Sequence, residues 1–124
     1  MIITNENSTS RGVYEKMWTS LLLGTTNTGS REISIQITHI EPDGEQNLHS
    51  HPEDQCYYLI SGSGEMNIDN NKQKVKNGDA VFIPGNHIHG IKNIGTDELV
   101  YMTANKAFGE KMENITWNIK ANNE

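Results

Sequence analysis

The sequence predicts a single all-β domain, a sandwich or barrel. Three observations support this: apolar side chains recur at every second position, turn-forming residues separate these stretches, and 124 residues leave room for one domain. The clearest alternation places Ile33, Ile35 and Ile37 on one face of an extended segment and polar side chains on the other. We expect a half-buried strand whose isoleucine face packs on the core.

The remaining predicted strands show the same alternation of apolar and polar residues. They are centred on Met66 and Ile68, Val81 and Ile83, Leu99 and Tyr101, and Ile115, Trp117 and Ile119. Between the strands lie segments with turn chemistry: Pro42–Gly44, Ser61–Gly64, Asp69–Asn71, Asn77–Asp79, Pro84–Asn86 and Ile94–Asp97. Short helices or turns are predicted only for Tyr14 to Trp18 and Ala104 to Met112, so helix is a minor component.

Composition excludes several classes of function. The formal net charge of -6 argues against a nucleic-acid backbone or an anionic membrane surface as partner, because both reward clustered Lys and Arg. The single Cys cannot form an internal disulfide, and the polar N-terminus has no signal-peptide pattern. The longest dense apolar run near the N-terminus, Leu21 to Leu23, is far too short to cross a bilayer. We therefore expect a cytoplasmic protein without a membrane segment.

The chain divides into three predicted segments. Residues 1–30 form an N-terminal segment with a candidate dimer strand, residues 31–112 the β-barrel core, and residues 113–124 a C-terminal strand and frayed tail. So short a chain buries only about two-thirds of its unfolded surface, which favours a homodimer. The apolar stretch Met17 to Thr25 is the candidate interface, and the alternative is that it covers its own barrel.

The histidines are the strongest chemical signal. Four of the five lie in two pairs, His49-Ser50-His51 and His87-Ile88-His89, and the two rings of a pair face the same side of an extended strand. A single His is usually a surface or core residue. Two such pairs in a β-rich chain favour a metal site, because imidazole is the commonest ligand for a borderline metal ion.

The residues around these pairs resemble the two motifs of the cupin superfamily, in particular its small single-domain microbial members. The first motif matches Gly44, His49-Ser50-His51, Gln55 and Gly62, with four residues instead of five after Gly44 and Gln in place of Glu. The second matches Gly78, Pro84, Gly85, Asn86, His89 and Asn93, with Asn86 where a Gly is expected. Asn tolerates the left-handed turn conformation well. The resemblance implies a double-stranded β-helix, also called a jelly-roll barrel.

The resemblance also implies a metal site. Its ligands would be His49, His51 and His89, together with Gln55 at the position usually held by Glu, and its cofactor one divalent transition metal ion, Fe, Ni, Co, Cu, Zn or Mn. A neutral amide leaves the ion its full charge, which favours Lewis acidity and weakens the retention of hard ions such as Mn²⁺. The alternative is that Glu53 or Asp54 is the fourth ligand, although neighbouring residues of a strand point to opposite faces.

Two residues are candidates for catalysis. Tyr57 lies two positions beyond Gln55 and shares its face, so its phenol could bind or protonate a substrate. His87 is the second candidate, at the mouth of the site, and the alternative is that it faces the neighbouring strand. His39 is expected to be a core residue or a proton donor at the barrel mouth. Cys56 is expected to face away from the site as a buried, inert thiol.

The apolar wall of the pocket is expected to come from strand residues that mostly form the core: Tyr57, Leu59, Met66, Phe82, Ile91, Tyr101 and Met102. The chain has no phosphate loop, nucleophile elbow, dinucleotide fingerprint or Cys-x-x-Cys pair, so a bound metal must carry any chemistry. The resemblance allows dioxygenases, isomerases, decarboxylases, lyases and cyclases, as well as non-catalytic binding modules. The leading hypothesis is a mononuclear metal enzyme for a small oxygenated molecule such as a sugar acid, a β-dicarbonyl or a phenol. The alternative is a small-molecule binding or sensing module.

Overall fold

Ten strands and two short helices make up residues 1–119, the part of the chain that the computed structural model describes. The strands are β1 Arg11–Tyr14, β2 Met17–Leu23, β3 Ser34–Ile40, β4 Glu45–His49, β5 Gln55–Ser61, β6 Ser63–Ile68, β7 Asn71–Lys76, β8 Ala80–Ile83, β9 His89–Asn93 and β10 Leu99–Asn105. The helices are α1 Thr25–Thr28 and α2 Glu110–Trp117.

The strands form two antiparallel sheets that enclose one core. The larger sheet has the order β1-β2-β3-β10-β5-β8 and the smaller one the order β4-β9-β6-β7. Both sheets contribute to the buried cluster between them: Met17, Ile40, Tyr57, Leu59, Met66, Ile83, Ile91, Leu99 and Tyr101. The predicted all-β fold is confirmed. Most of the strands bury their inward face, as expected for a two-layer β fold, whereas β4 and β7 contain no fully buried residue.

Strand β3 faces the interior with its polar side chains, which corrects the expectation from its isoleucines. Gln36 and Thr38 are 3% and 4% exposed and line a cavity, whereas Ile33 precedes the strand and is 55% exposed. Ile37 is also buried, on the opposite face. Alternation separates the two faces of a strand, but it identifies the inner face only where the interior is apolar. Here the interior beside the cavity is lined with hydrogen-bonding groups.

The predicted C-terminal strand was wrong, because the segment forms helix α2. Ile115 is 67% exposed and Trp117 only 4%, which fits a helix, where positions two apart point to different sides. The fully buried Glu113 fixes the helix to α1 by accepting hydrogen bonds from the backbone N–H groups of Thr25 and Thr26, each at 2.9 Å. The predicted frayed tail, residues 120–124, lies outside the described residues.

The stretch proposed for dimer contacts is an internal strand of its own sheet. Strand β2 pairs with β1 on one side and β3 on the other, and Leu21 is 2% exposed. The segment therefore covers its own barrel, which was the alternative. Glu15 and Lys16 form the hairpin turn between β1 and β2, with Lys16 at a φ of 57°, and the rest of the predicted segment Tyr14 to Trp18 belongs to these two strands.

Two residues expected in the interior lie on the outer face of the larger sheet. Phe82 is 63% exposed and sits directly opposite Cys56, which is also exposed. Cys56 does face away from the cavity, as expected, but nothing in the described chain buries it. Of the other residues expected there, Tyr57, Leu59, Met66, Ile91 and Tyr101 are buried as predicted, whereas Met102 is only half-buried.

Candidate metal centre

Three histidine side chains converge where β4 ends and β9 begins. His49 is the last residue of β4 and pairs directly with His89, the first residue of β9, while His51 follows in the loop before β5. One ring nitrogen from each of the three lies within 4.8 Å of the others. The structure thus brings together the three histidines that the sequence motifs indicated, in positions suited to bind one metal ion.

Backbone carbonyl groups fix the tautomer of all three rings. Each Nδ1 atom lies within hydrogen-bonding distance of the carbonyl oxygen of a residue two positions away in the sequence. A carbonyl only accepts, so Nδ1 carries the proton and Nε2 keeps its lone pair for a metal. The three contacts are His49 Nδ1 to Asn47 O at 2.7 Å, His51 Nδ1 to Glu53 O at 3.0 Å and His89 Nδ1 to His87 O at 2.9 Å.

Burial disfavours the charged form of two of these rings. It lowers the pKa of His49, and it lowers the pKa of His89 to about 4, with a further contribution from the neighbouring histidines. The Nε2 atom of His89 is buried and has no hydrogen-bond partner among the described residues. A buried polar atom without a partner is costly, and a metal ion would satisfy it.

Gln55 lies beside the three rings. Its Oε1 atom lies 3.2 Å from Nε2 of His51, and its Nε2 atom donates a hydrogen bond to Oδ1 of Asn105 at 3.0 Å. Because Nε2 of Gln55 and Nδ1 of His51 are the donors, Oε1 of Gln55 and Nε2 of His51 are both acceptors. These two atoms repel each other unless a cation lies beside them. Three imidazole nitrogens and one amide oxygen fit a borderline divalent ion.

The two alternative ligands lie elsewhere. Asp54 accepts a hydrogen bond from the backbone N–H of Gly85 at 2.8 Å and supports that turn. Glu53 Oε1 is 3.7 Å from Nδ1 of His51, on the opposite edge of the ring from Nε2. Glu53 lines the cavity, and its Oε1 atom is buried without a partner among the described residues. Its carboxylate is therefore placed to accept a proton.

A cavity of about 910 Å³ opens beside these side chains. Hydroxyl and amide groups line part of its inner wall, on Thr19, Gln36, Thr38, Tyr57, Tyr101 and Thr103. Phe108, Met112 and Trp117, from helix α2 and the loop before it, add apolar surface. A space of this size, with both apolar and hydrogen-bonding groups on its wall, suits a small molecule.

Tyr57 presents a neutral phenol to this cavity. It is 3% exposed, and its ring stacks on Tyr101 with the centroids 4.7 Å apart. Burial raises its pKa far above the ordinary value, so the hydroxyl keeps its proton. Its ring centroid lies 6.4 Å from that of His89. The side chain is placed to donate a hydrogen bond to a bound molecule.

His87 does not line the cavity. It precedes β9 in a loop where Asn86 adopts a φ of 66°, and its half-exposed ring pairs with Asp69. Because the strand starts only at His89, the two rings do not share a face. The carbonyl of His87 nevertheless belongs to the site, since it orients His89. The Asn at position 86 takes the left-handed conformation that was expected of it.

His39 also lies away from the cavity. Its ring stacks on Trp18 at 4.0 Å and contacts Glu98 at 2.9 Å, on the opposite face of β3 from Thr38. It is neither a proton donor at the cavity nor part of the central core cluster.

Sequence reasoning missed Asn105, although one signal could have found it. Asn105 continues the alternation of Tyr101 and Thr103, which places it on the same inner face of β10 as these two residues. A polar side chain at the buried end of a strand requires a partner. That partner is Gln55, directly opposite on β5.

Comparison with known proteins identifies similar chains. The family model described as "Cupin domain" matches residues 36–105. The dimethylsulfoniopropionate lyase DddW of Ruegeria pomeroyi is 30% identical over 76 residues, which cover 61% of this chain and 49% of that protein. This chain spans less than half the length of the curated relatives it matches.

Two solved structures share the fold at low identity. The polyketide cyclase RemF from Streptomyces resistomycificus has a TM-score of 0.74 and 17% identity, over 85% of this chain and 78% of that one. A predicted oxalate decarboxylase from Thermotoga maritima has a TM-score of 0.75 and 17% identity, over 86% of this chain and 100% of that one. In residues 1–119, no helix has the length and apolar character needed to span a membrane.

Proposed function

The chain belongs to the cupin family, and we propose that it is an enzyme that holds one divalent transition metal ion and acts on a small oxygenated molecule. One observation supports this proposal: three histidine nitrogens lie within 4.8 Å of one another beside a cavity of about 910 Å³, and the amide oxygen of Gln55 lies 3.2 Å from one of them. The proposed ligands are His49, His51, His89 and Gln55.

The donor set favours a particular group of ions. All four ligands are neutral, so an ion bound there keeps its full charge and supplies strong Lewis acidity toward a carbonyl or enolate oxygen. Imidazole-rich sites favour Fe²⁺, Ni²⁺, Co²⁺, Cu²⁺ or Zn²⁺ over the harder Mn²⁺.

The surrounding side chains can bind a substrate and move a proton. The hydroxyl of Tyr57 donates a hydrogen bond to a substrate oxygen on which negative charge develops. The carboxylate of Glu53 accepts a proton from the carbon next to that oxygen. The hydroxyls and amides of the inner wall, Gln36 and Thr103 among them, bind further polar groups and orient the molecule.

The relatives include a lyase, a cyclase and a predicted decarboxylase. A site that combines Lewis acidity, a phenol and a carboxylate supports such lyase, isomerase or cyclase reactions. With an iron ion and O₂ the same donor set supports a dioxygenase. The substrate class we propose is a sugar acid, a β-dicarbonyl or a phenol.

A non-catalytic binding or sensing module is the second candidate. It is favoured by Gln55 itself, because the amide replaces a carboxylate that could act as a base directly at the ion. Turnover separates the two functions: a binding module shows saturable binding without product at any metal loading.

The experiment is a turnover screen of the metal-loaded protein with the three substrate classes, with O₂ consumption recorded in parallel. We expect Tyr57→Phe and Glu53→Gln each to lower kcat by about 10²-fold or more, the usual contribution of a positioned acid or base. Cys56→Ser, on the outer sheet face, is the matched control and should leave turnover unchanged. Saturable binding with no product from any class would favour the binding module.

We also propose a homodimer, through a different surface from the one that the sequence indicated. Tyr58, Ile60 and Phe82 are 47%, 46% and 63% exposed on neighbouring strands of the larger sheet. Burying such a patch stabilises association. Light scattering of the parent should give twice the monomer mass, and Phe82→Glu should give monomers. Ile115→Glu, on the exposed side of α2, should leave the dimer intact.

The exposed free thiol of Cys56 is consistent with a reducing compartment, and we propose a cytoplasmic location. Fractionation of cells that make the protein would test this.

A further inference from the structure

We infer that Asn105 is a positioning residue: it turns the amide of Gln55 so that the oxygen, and not the nitrogen, faces the three imidazoles. The inference rests on the proposed metal-binding function and concerns a residue outside the ligand set. Hydrogen-bond chemistry supports it, starting from the backbone carbonyl of Lys106, which can act only as an acceptor.

The carbonyl oxygen of Lys106 can only accept a hydrogen bond. Asn105 Nδ2 lies 2.7 Å from it and must therefore be the donor. This fixes the other end of the Asn105 amide, Oδ1, as the atom that faces Gln55 at 3.0 Å. Gln55 must then donate from Nε2, which leaves its Oε1 atom 3.2 Å from the His51 lone pair.

Neighbouring side chains hold the Asn105 amide in place. Asn105 pairs directly with Gln55 on one side and with Ser34 on the other, so the three side chains line up across β5, β10 and β3. Asn105 Nδ2 also reaches Ser34 Oγ at 3.3 Å. Gln36 bonds to Ser34 and accepts from Thr103, which extends the chain of hydrogen bonds.

All of these residues are 7% exposed or less. Asn105 is not among the residues that line the cavity, so a partner lost on its side of the Gln55 amide is costly to replace. A flip of the Gln55 amide would set its oxygen against Asn105 Oδ1 and leave both unsatisfied. The arrangement also explains an amide at position 55, because a carboxylate there would place an acceptor oxygen against the same Oδ1 atom.

The test measures Co²⁺ affinity by visible absorption in the parent and in two Asn105 variants. Asn105→Leu keeps the size of the side chain but removes the acceptor for Gln55, and we expect binding about 10–100-fold weaker, the usual cost of losing a group that orients a metal ligand. Asn105→Asp keeps an oxygen that accepts from Gln55 Nε2, so we expect its affinity to stay close to that of the parent although its thermal stability falls.

Asn93→Ala is the matched control. Asn93 is as deeply buried and also makes three hydrogen bonds, to Ile40 O, Asp97 O and the N–H of Gly95, but none to a metal ligand. It should lower thermal stability and leave the Co²⁺ affinity of the folded protein unchanged. Equal affinity in the parent and Asn105→Leu would overturn the inference, as would an equal loss of affinity in Asn93→Ala.

A second measurement needs neither a variant nor a metal. In NMR spectra of the metal-free parent, the side-chain NH₂ protons of Gln55 should exchange slowly and show nuclear Overhauser contacts to Asn105. Contacts to the His51 ring instead would overturn the inference. If the parent binds no Co²⁺ while these protons contact Asn105, the proposed metal function fails and the orientation of Gln55 stands.

Discussion

His51 Nε2 and Gln55 Oε1 face each other at 3.2 Å. Both are hydrogen-bond acceptors, because Nδ1 of His51 donates to the carbonyl oxygen of Glu53 and Nε2 of Gln55 donates to Oδ1 of Asn105. Two lone pairs directed at one another are unfavourable in a buried site. A divalent ion removes this conflict. The pair therefore supports the proposal that this site holds a cation.

Gln55→Glu should destabilise the metal-free protein. The new carboxylate would face two acceptors, the His51 nitrogen and Asn105 Oδ1, and an unsatisfied buried group of this kind costs about 1–3 kcal/mol. Because a carboxylate binds a divalent ion better than an amide does, added Zn²⁺ should raise Tm more in this variant than in the parent. Urea unfolding and thermal melts measure both effects.

The exposed Gln73→Glu on β7 is the control and should change the free energy of unfolding by less than about 0.5 kcal/mol. A metal-free Gln55→Glu protein as stable as the parent would show that the amide orientation is wrong.

The metal-free protein should lose stability as pH falls from about 6.5 to about 4. Burial holds the pKa of His89 at about 4 in the folded state, below its ordinary value of 6.5. Over this range His89 binds a proton more readily in the unfolded chain than in the folded protein, so protonation favours unfolding. The folded protein therefore reaches its full stability only above about pH 6.5. The shift of His49 has the same sign.

The loss from His89 amounts to at most about 3 kcal/mol by the linkage relation. Urea unfolding of the metal-free protein at several pH values measures it. His89→Gln should flatten this pH dependence, and an equally steep dependence in that variant would contradict the assignment.

Glu113→Ala should lower the free energy of unfolding by about 1.5–3 kcal/mol, the range for hydrogen bonds to a charged group. The substitution leaves the N–H groups of Thr25 and Thr26 without their buried acceptor. Glu110→Ala, at the exposed start of the same helix, should cost far less. Denaturant unfolding compares the two, and equal effects would mean that Glu113 does not fix α2 to α1.

His87→Gln should leave Zn²⁺ or Co²⁺ affinity unchanged within about 0.5 kcal/mol, the usual range for a surface substitution. Only the backbone carbonyl of His87 contacts the site, and every residue type supplies one. Isothermal titration with the metal measures the affinity. A large loss would mean that the imidazole itself reaches the ion.

Motif spacing predicted the fold and the convergence of His49, His51 and His89, because the spacing depends on where strands end and which side chains meet there. Spacing could not place His87, since its ring direction depends on where β9 begins. Nor could alternation reveal that β3 buries Gln36 and Thr38, because the polar partners of these residues lie on β10 and β2, distant in sequence.

Helix α2 was missed for a similar reason. The alternation of Ile115 and Trp117 favoured a strand, whereas the buried contact of Glu113 with α1 is tertiary and leaves no local pattern. The alternation of Asn105 with Thr103 indicates that Asn105 faces the interior. Its role could not be predicted, because it depends on the pairing of Asn105 with Gln55 across two strands distant in sequence.

The most direct test of the central claim is the metal content of untagged protein, purified without added metal, by elemental mass spectrometry. We predict close to one equivalent of a transition metal ion in the parent and none in the His49→Ala, His89→Ala double variant. Iron would direct substrate screening toward O₂ consumption, and zinc or nickel toward isomerase, cyclase or lyase reactions. A parent that holds no metal, even after incubation with excess ion, would contradict the account.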